Sequence, residues 1–241
     1  MANPQGTIED YIFYSKELEE EIPLLIYKPH HYSTLYKYSV LIVQDGKDYF
    51  QMGRIGRAAD QLQEELENLI IIGIPYANVE DRRAKYHPDG DKQTAYIRFL
   101  AHELVPFIDE QFPTYQVGSG RALGGDSLGA TVSLMAALKY PNIFGKVLLH
   151  SPYVDEKVIT LLEDFDQPHL LQLYHVIGKQ EVNVKMTNGE TMDFLEPNRD
   201  LHDLIEAKAI RNFYDEFDGD HTWKYWQPDL VRALRMMFSK N

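Results

Sequence analysis

Short apolar runs without polar interruption alternate along this chain with longer segments of helical periodicity. Residues 40–43 and 69–72 are such runs, whereas residues 94–111 carry apolar side chains at three- and four-residue steps. A strand that is apolar on both faces must be covered on both sides, which is typical of parallel sheets flanked by helices. The alternation predicts an α/β fold with a mainly parallel sheet and helices on both faces.

The first two predicted strands, residues 11–15 and 22–27, are not followed by helices. We therefore expect them to form an antiparallel edge of the sheet. No Gly-, Ser- or Pro-rich linker interrupts the sequence, which predicts a single domain over residues 1–241. Strands are predicted at residues 11–15, 22–27, 38–44, 69–74, 119–125, 145–150, 170–177 and 210–217. Helices are predicted at residues 51–67, 94–111, 128–139, 199–208 and 223–238.

Charge and cysteine content exclude several classes of function. The chain has 24 Lys and Arg against 37 Asp and Glu, a formal net charge of −13, and a surface of this sign repels nucleic acid. The absence of cysteine excludes disulfides, thiolate zinc sites and cysteine nucleophiles. Residues 1–6 do not resemble a signal peptide, and no apolar run approaches the ~20 residues of a membrane helix. We therefore expect a soluble, cytoplasmic protein.

The sequence Gly125-Asp126-Ser127-Leu128-Gly129 lies between a predicted strand and a predicted helix. A G-x-S-x-G motif in this position forms a strained turn that presents the serine hydroxyl at the carboxyl edge of a sheet. Ligands of such sheets bind at that edge. Ser127 is therefore the candidate nucleophile, with the Leu128 amide as one donor to a developing oxyanion. The alternative is that Ser127 only caps the helix.

A serine hydroxyl needs a base to take its proton and an acid to orient that base, and in this architecture they follow the serine in the order acid, then histidine. His221 lies in the loop after the last predicted strand, so it is the candidate base. His150 ends an earlier strand and is the rival with a plausible position, whereas His175 lies within a strand and His202 on a helix. A solvated loop histidine is the alternative interpretation of His221.

Glu181 is the candidate acid because it lies in the loop after the penultimate long strand. Asp193 and Asp200 remain open as alternatives. The second oxyanion donor is expected in the loop after the third strand, where Gly46 would allow the chain to turn and direct the Lys47 amide inward.

Candidate substrate contacts are Asp48 in this same loop, His150, and Arg82 in a small basic segment that could receive an anionic or phenolic group. A solvated loop is the alternative interpretation of this basic segment. Trp223 and Trp226 are predicted to be core anchors of the last helix. No metal-ligand spacing and no phosphate-binding glycine motif occurs, and the predicted reaction needs no cofactor.

Five segments together resemble the Putative esterase family of α/β-hydrolases, which includes esterase D, enterochelin-type siderophore esterases and mycolyltransferases. The pattern Gly-x-His-x-Trp-x-x-Trp around His221 is the most distinctive of them. The segments are residues 40–50 (VLIVQDGKDYF), 82–88 (RRAKYHP), 99–112 (FLAHELVPFIDEQF), 124–130 (GGDSLGA) and 219–226 (GDHTWKYW). The resemblance extends from about residue 20 to the C-terminus. One departure is Lys85, since members often have an acidic residue at or next to this position.

The resemblance implies an α/β-hydrolase fold with Ser127 as nucleophile, His221 as base, Glu181 at the acid position, and the Lys47 and Leu128 amides as the oxyanion hole. It implies a serine esterase that cleaves small carboxylic esters through an acyl-enzyme, in the manner of carboxylesterases or siderophore esterases. An acyltransferase on the same scaffold and a non-catalytic binding protein with this fold are the alternatives.

Overall fold

The computed structural model describes residues 5–186 and 189–240, and in this part of the chain eight strands form one mixed sheet. Its order is β1-β2-β4-β3-β5-β6-β7-β10, and β8 and β9 form a separate two-stranded ribbon. The strands are β1 (Thr7–Ser15), β2 (Glu20–Lys28), β3 (Ser39–Gln44), β4 (Leu69–Ile74), β5 (Arg121–Asp126), β6 (Lys146–His150), β7 (Gln172–Gly178), β8 (Val184–Lys185), β9 (Thr191–Met192) and β10 (Arg211–Phe217).

The sheet has the predicted antiparallel N-terminal edge: β1 pairs antiparallel with β2 and β2 antiparallel with β4. All other neighbours in the main sheet are parallel. Every residue of β3, β4 and β5 is buried, because helices cover both faces of these central strands. The carboxyl ends of β3, β5, β6, β7 and β10 therefore lie at one edge, and the loops that follow them meet there.

Two large apolar cores lie on the two faces of the sheet, each between the sheet and one layer of helices. One core contains side chains of α3 to α8, and the other contains side chains of α1, α2 and α9. The helices are α1 (Gly46–Gln51), α2 (Ile55–Gln61), α3 (Val79–Tyr86), α4 (Gln93–Phe99), α5 (Val105–Gln111), α6 (Leu128–Lys139), α7 (Glu156–Glu163), α8 (Leu195–Ala207) and α9 (Trp223–Phe238). This is the α/β-hydrolase arrangement that the sequence predicts. In the residues described, no helix is both long enough and apolar enough to span a bilayer.

Two of the predicted helices differ in the structure. Of the helix predicted over residues 51–67, only α2 (Ile55–Gln61) forms; α1 lies before it and shares only Gln51 with the predicted range, and Arg54 between α1 and α2 is in the left-handed region (φ 53°). The helix predicted over residues 94–111 consists of α4 and α5 joined by a π-helical turn, in which the Val105 amide bonds to the Leu100 carbonyl. Pro106 explains this widening, because it has no amide hydrogen and its ring would collide with the carbonyl four residues earlier.

Candidate active site

Ser127 forms the turn between β5 and α6 with an unusual backbone conformation, φ 53° and ψ −124°. A positive φ is a strained backbone conformation for serine, and it is kept only where contacts with the surrounding structure stabilise it. The Ser127 amide donates to the His150 carbonyl at 2.9 Å, which fixes the turn to the end of β6. Within the described residues, the Ser127 hydroxyl makes no capping hydrogen bond to α6, so the interpretation of Ser127 as a helix cap is wrong.

Gly125 is required because the first turn of α6 packs directly on it. A Cβ atom at this position would lie 2.2 Å from the Gly129 carbonyl carbon and 2.6 Å from the Ala130 nitrogen. Both atoms belong to the backbone and cannot move away as a side chain would. The glycine therefore allows α6 to begin immediately after the nucleophile turn.

Gly125→Ala is expected to lower the free energy of unfolding by about 3 kcal/mol or more, since the methyl group would displace the α6 backbone. Gly124→Ala is the matched control one residue earlier in β5, where a Cβ would make ordinary contacts of 3.4 Å with Leu148 and 3.5 Å with Leu41. We expect the control to change the free energy by about 1 kcal/mol or less. Urea unfolding measures both, and equal effects would contradict the proposed packing role of Gly125.

His221 lies in the loop between β10 and α9, and its Nδ1 is 2.6 Å from Oε2 of Glu181. The His221 side chain is 17% exposed, whereas that of Glu181 is fully buried. The ring of Trp226 meets the His221 ring edge-on, with 4.9 Å between centroids. The imidazole is therefore held by a buried carboxylate on one side and an aromatic ring on another.

Glu181 lies in the loop after β7, where its other carboxylate oxygen has two further donors. Oε1 accepts from the Gly178 amide at 2.8 Å and from the Ser151 hydroxyl at 2.7 Å. The two alternative acids lie elsewhere: Asp193 accepts from the Leu195 amide at the start of α8 at 2.8 Å, and Asp200 is exposed on that helix. Of the three carboxylates considered, the structure brings Glu181 to His221.

A cavity of about 570 Å³ contains the Ser127 and His221 side chains in its wall, at the carboxyl edge of the sheet. Leu128 also lines it, as do Asp48 and Arg82, two of the candidate substrate contacts. Among the residues that the structure describes, the lining consists of Asp45, Asp48, Met52, Tyr76, Val79, Arg82, Asp126, Ser127, Leu128, Val184, Lys185, Met186, His221, Thr222, Trp223, Lys224 and Trp226. Trp223 and Trp226 contribute to the cavity as well as to packing, which the prediction of core anchors did not include.

His150 does not have the position that the sequence predicted for it. It is fully buried and, among the residues described, is not part of the cavity wall. Its Nδ1 is 3.0 Å from the Tyr49 hydroxyl and its Nε2 is 3.2 Å from Asp229. Because both ring nitrogens are occupied inside the protein, the expectation that His150 contacts substrate is wrong.

The candidate oxyanion donors lie in the first turns of two helices. Lys47 is the second residue of α1 and Leu128 the first of α6, positions whose amides have no acceptor within their own helix. The chain enters α1 through Asp45, which has a left-handed conformation (φ 53°), so the turn that the sequence attributes to Gly46 is made at the preceding residue. Gly46 is needed for another reason: a Cβ there would lie 2.4 Å from the carbonyl carbon of Gly73 in β4.

Arg82 lines the cavity but is already paired. Its Nε and Nη2 bind the two carboxylate oxygens of Asp45 at 2.8 and 2.5 Å, and Nη2 also reaches the Asp126 carbonyl at 3.2 Å. Burial and the Asp45 charge raise the pKa of Asp48, and they raise that of the Asp126 side chain well above its ordinary value. The sequence did not single out Asp45 or Asp126. In the part of the chain that the structure describes, no group of His, Asp or Glu side chains is arranged to hold a metal ion.

Comparisons with known proteins show the family of this chain. Residues 15–237 match the family described as Putative esterase. The uncharacterized protein YjcH of Bacillus subtilis is 53% identical over 239 residues, which cover 98% of this chain and all of that protein. An acetyl esterase of Caldicellulosiruptor saccharolyticus is 24% identical over 178 residues, 63% of this chain and 67% of the relative.

Solved structures with the same fold include a ferulic acid esterase, with a TM-score of 0.79 and 16% identity over 98% of this chain and 99% of the other. The enterobactin esterase FES of Shigella flexneri, in the presence of 2,3-dihydroxy-N-benzoyl-glycine, has a TM-score of 0.79 and 18% identity. That match covers 98% of this chain and 61% of the enterobactin esterase.

Proposed function

We propose that this chain, which belongs to the Putative esterase family and is a carboxylic ester hydrolase, acts as a serine esterase through an acyl-enzyme intermediate. The observation that carries the proposal is the 2.6 Å contact between His221 Nδ1 and Glu181 Oε2 beside a cavity that His221 shares with Ser127. Ser127 has the strained turn conformation of a nucleophile, with φ 53°.

In the proposed first half-reaction, the Ser127 hydroxyl oxygen attacks the ester carbonyl carbon. His221 takes the hydroxyl proton on Nε2, because its Nδ1 hydrogen is donated to Glu181. The carbonyl oxygen becomes an anion and accepts hydrogen bonds from the Lys47 and Leu128 amides, and the positive end of α6 adds a favourable field. When the tetrahedral intermediate collapses, His221 donates its proton to the leaving alcohol.

In the second half-reaction, His221 removes a proton from water as the water attacks the acyl carbonyl carbon. The same two amides stabilise the second oxyanion, and collapse returns the proton to Ser127 and releases the carboxylic acid. Because His221 is 17% exposed at an open cavity, water has access to the acyl-enzyme. This access favours hydrolysis over transfer of the acyl group to a second alcohol.

The lining of the cavity favours small, uncharged acyl esters as substrates. Apolar and aromatic side chains, among them Met52, Leu128 and Trp226, form much of its wall. The guanidinium of Arg82 is neutralised by Asp45 and is therefore a poor receptor for an anionic group. Siderophore esters are the second candidate because the enterobactin esterase of Shigella flexneri shares the fold.

Labelling with a fluorophosphonate probe tests the proposed mechanism. We expect one adduct per chain, located by peptide mass spectrometry on Ser127, because the phosphonyl group reacts only with an activated serine. Heat-denatured protein and the Ser127→Ala variant are the controls, and neither should be labelled. If the native protein hydrolyses p-nitrophenyl acetate but is not labelled at Ser127, the assignment of Ser127 as the nucleophile is wrong.

A further inference from the structure

We propose that Ser151 is a positioning residue that fixes the Glu181 carboxylate for His221, an inference that rests on the proposed function. Ser151 directly follows β6 and is fully buried. Its hydroxyl lies 2.7 Å from Oε1 of Glu181, which is 30 residues away in the sequence. In the part of the chain that the structure describes, Ser151 is not among the residues lining the cavity, so any effect on the reaction is transmitted through another group.

The direction of the Ser151 hydrogen bond is set by Trp226. The indole Nε1 of Trp226 lies 3.1 Å from the Ser151 hydroxyl oxygen, and an indole nitrogen is a donor only. The serine oxygen must therefore accept from Trp226, and its single hydrogen is free to point to Glu181. A chain of two hydrogen bonds thus runs from α9 through Ser151 to the carboxylate.

The Ser151 bond also fixes the plane of the carboxylate that faces His221. Oε1 receives both Ser151 and the Gly178 amide, whereas Oε2 receives His221 Nδ1. With two donors on Oε1, rotation of the carboxylate about its last bond would break two hydrogen bonds in a buried site. Without Ser151 a single donor would hold Oε1, and the imidazole would be oriented less firmly.

The backbone at Ser151 has a strained, left-handed conformation. Its φ is 48°, in the left-handed region that few residues other than glycine adopt, and its amide is held by the Val176 carbonyl at 2.8 Å. Glycine would adopt the same backbone without strain, and the hydroxyl that serine adds at this position makes the 2.7 Å bond to Glu181.

The test compares Ser151→Ala with Ser151→Gly, using Ser39→Ala as a control for loss of a buried serine hydroxyl at the opposite end of the sheet. Steady-state kinetics on a p-nitrophenyl ester should show a fall in kcat of about tenfold for both Ser151 variants, the loss expected when a charged group loses one hydrogen bond. KM should stay unchanged because Ser151 does not reach the cavity. Ser39→Ala should keep the parent kcat.

A double-mutant cycle separates action through Glu181 from a general structural role. In a Glu181→Gln background, Ser151→Ala should lower kcat by less than about twofold, because groups that act as a unit have non-additive effects. The proton NMR resonance of the His221 Nδ1 hydrogen should move or broaden in Ser151→Ala and stay in place in Ser39→Ala. Thermal unfolding of every variant shows whether the fold is kept.

Three results would overturn the inference: a parent-like kcat in Ser151→Ala, recovery of activity in Ser151→Gly, which would assign the role to backbone strain, and full additivity with Glu181→Gln. Failure of the proposed function gives a different result, namely a parent protein with no turnover and no label on Ser127. The NMR comparison needs no turnover, so it still tests the role of Ser151 in that event.

Discussion

Replacing Ser127 by alanine is expected to lower kcat by about 10³- to 10⁶-fold while the protein remains folded. The reaction loses its nucleophile, and the rate that remains comes from water attacking an ester bound near the oxyanion donors. Alanine has nearly the same size and the same steric limits at φ 53°, so the turn between β5 and α6 should be kept. Stopped assays with p-nitrophenyl acetate and circular dichroism measure the two effects separately.

Ser133→Ala is the matched control for this prediction. Ser133 is a buried serine on α6, the helix that begins directly after Ser127. Its hydroxyl donates to the Gly129 carbonyl at 2.8 Å. Its loss should change stability by about 1 kcal/mol and leave kcat within a few-fold of the parent value. If Ser127→Ala hydrolyses the ester as fast as Ser133→Ala does, Ser127 is not the nucleophile.

The parts of the fold that the sequence predicts best have strong apolar patterns and sharp ends. The strand Leu69–Ile74 and the helices Leu128–Lys139 and Trp223–Phe238 have the predicted boundaries. The helices α3 and α7 are short and were not predicted. Each begins with a capping side chain: Asn78 accepts from the Asp81 amide, and Asp155 accepts from the Val158 amide. These caps were a usable signal for both helices, whereas apolar periodicity is weak in α3 and marked only in α7, where Val158 and Leu162 are buried.

The positions of Ser127, Glu181 and His221 were predictable because each follows a strand, and the carboxyl ends of parallel strands meet at one edge. The same rule misplaced His150, which also ends a strand, because successive side chains of a strand point to opposite faces. Its imidazole consequently reaches Tyr49 and Asp229 instead of the cavity.

Ser151 could not be predicted, because its role depends on contacts with residues 30 and 75 positions away. The Asp45–Arg82 pair likewise joins residues 37 positions apart. Spacing in the sequence does not reveal such contacts, since they depend on how separate loops and helices pack in the folded chain.

Glu181→Gln is expected to lower kcat by about 10³- to 10⁴-fold at neutral pH, although the two side chains have almost the same shape. The amide group has one oxygen and one NH2 group. If NH2 took the Oε1 position, it would face the hydrogens of Gly178 and Ser151, so the oxygen must remain there. The NH2 group then faces His221 Nδ1, which must give up its hydrogen and accept instead. The neutral ring now carries its proton on Nε2, where it cannot take the Ser127 proton.

Asp193→Asn and Asp200→Asn are the controls for the choice of acid. In Asp193→Asn the amide oxygen of the new side chain would still cap α8, and Asp200 is exposed, so both variants should keep kcat within about twofold of the parent. Steady-state kinetics at one neutral pH compares the three variants, and thermal unfolding confirms that each is folded. A near-parent rate in Glu181→Gln together with a large loss in either control would transfer the role of acid to that aspartate. Since His221 already has its 2.6 Å partner in Glu181, such a result would require the loop after β7 to rearrange before catalysis.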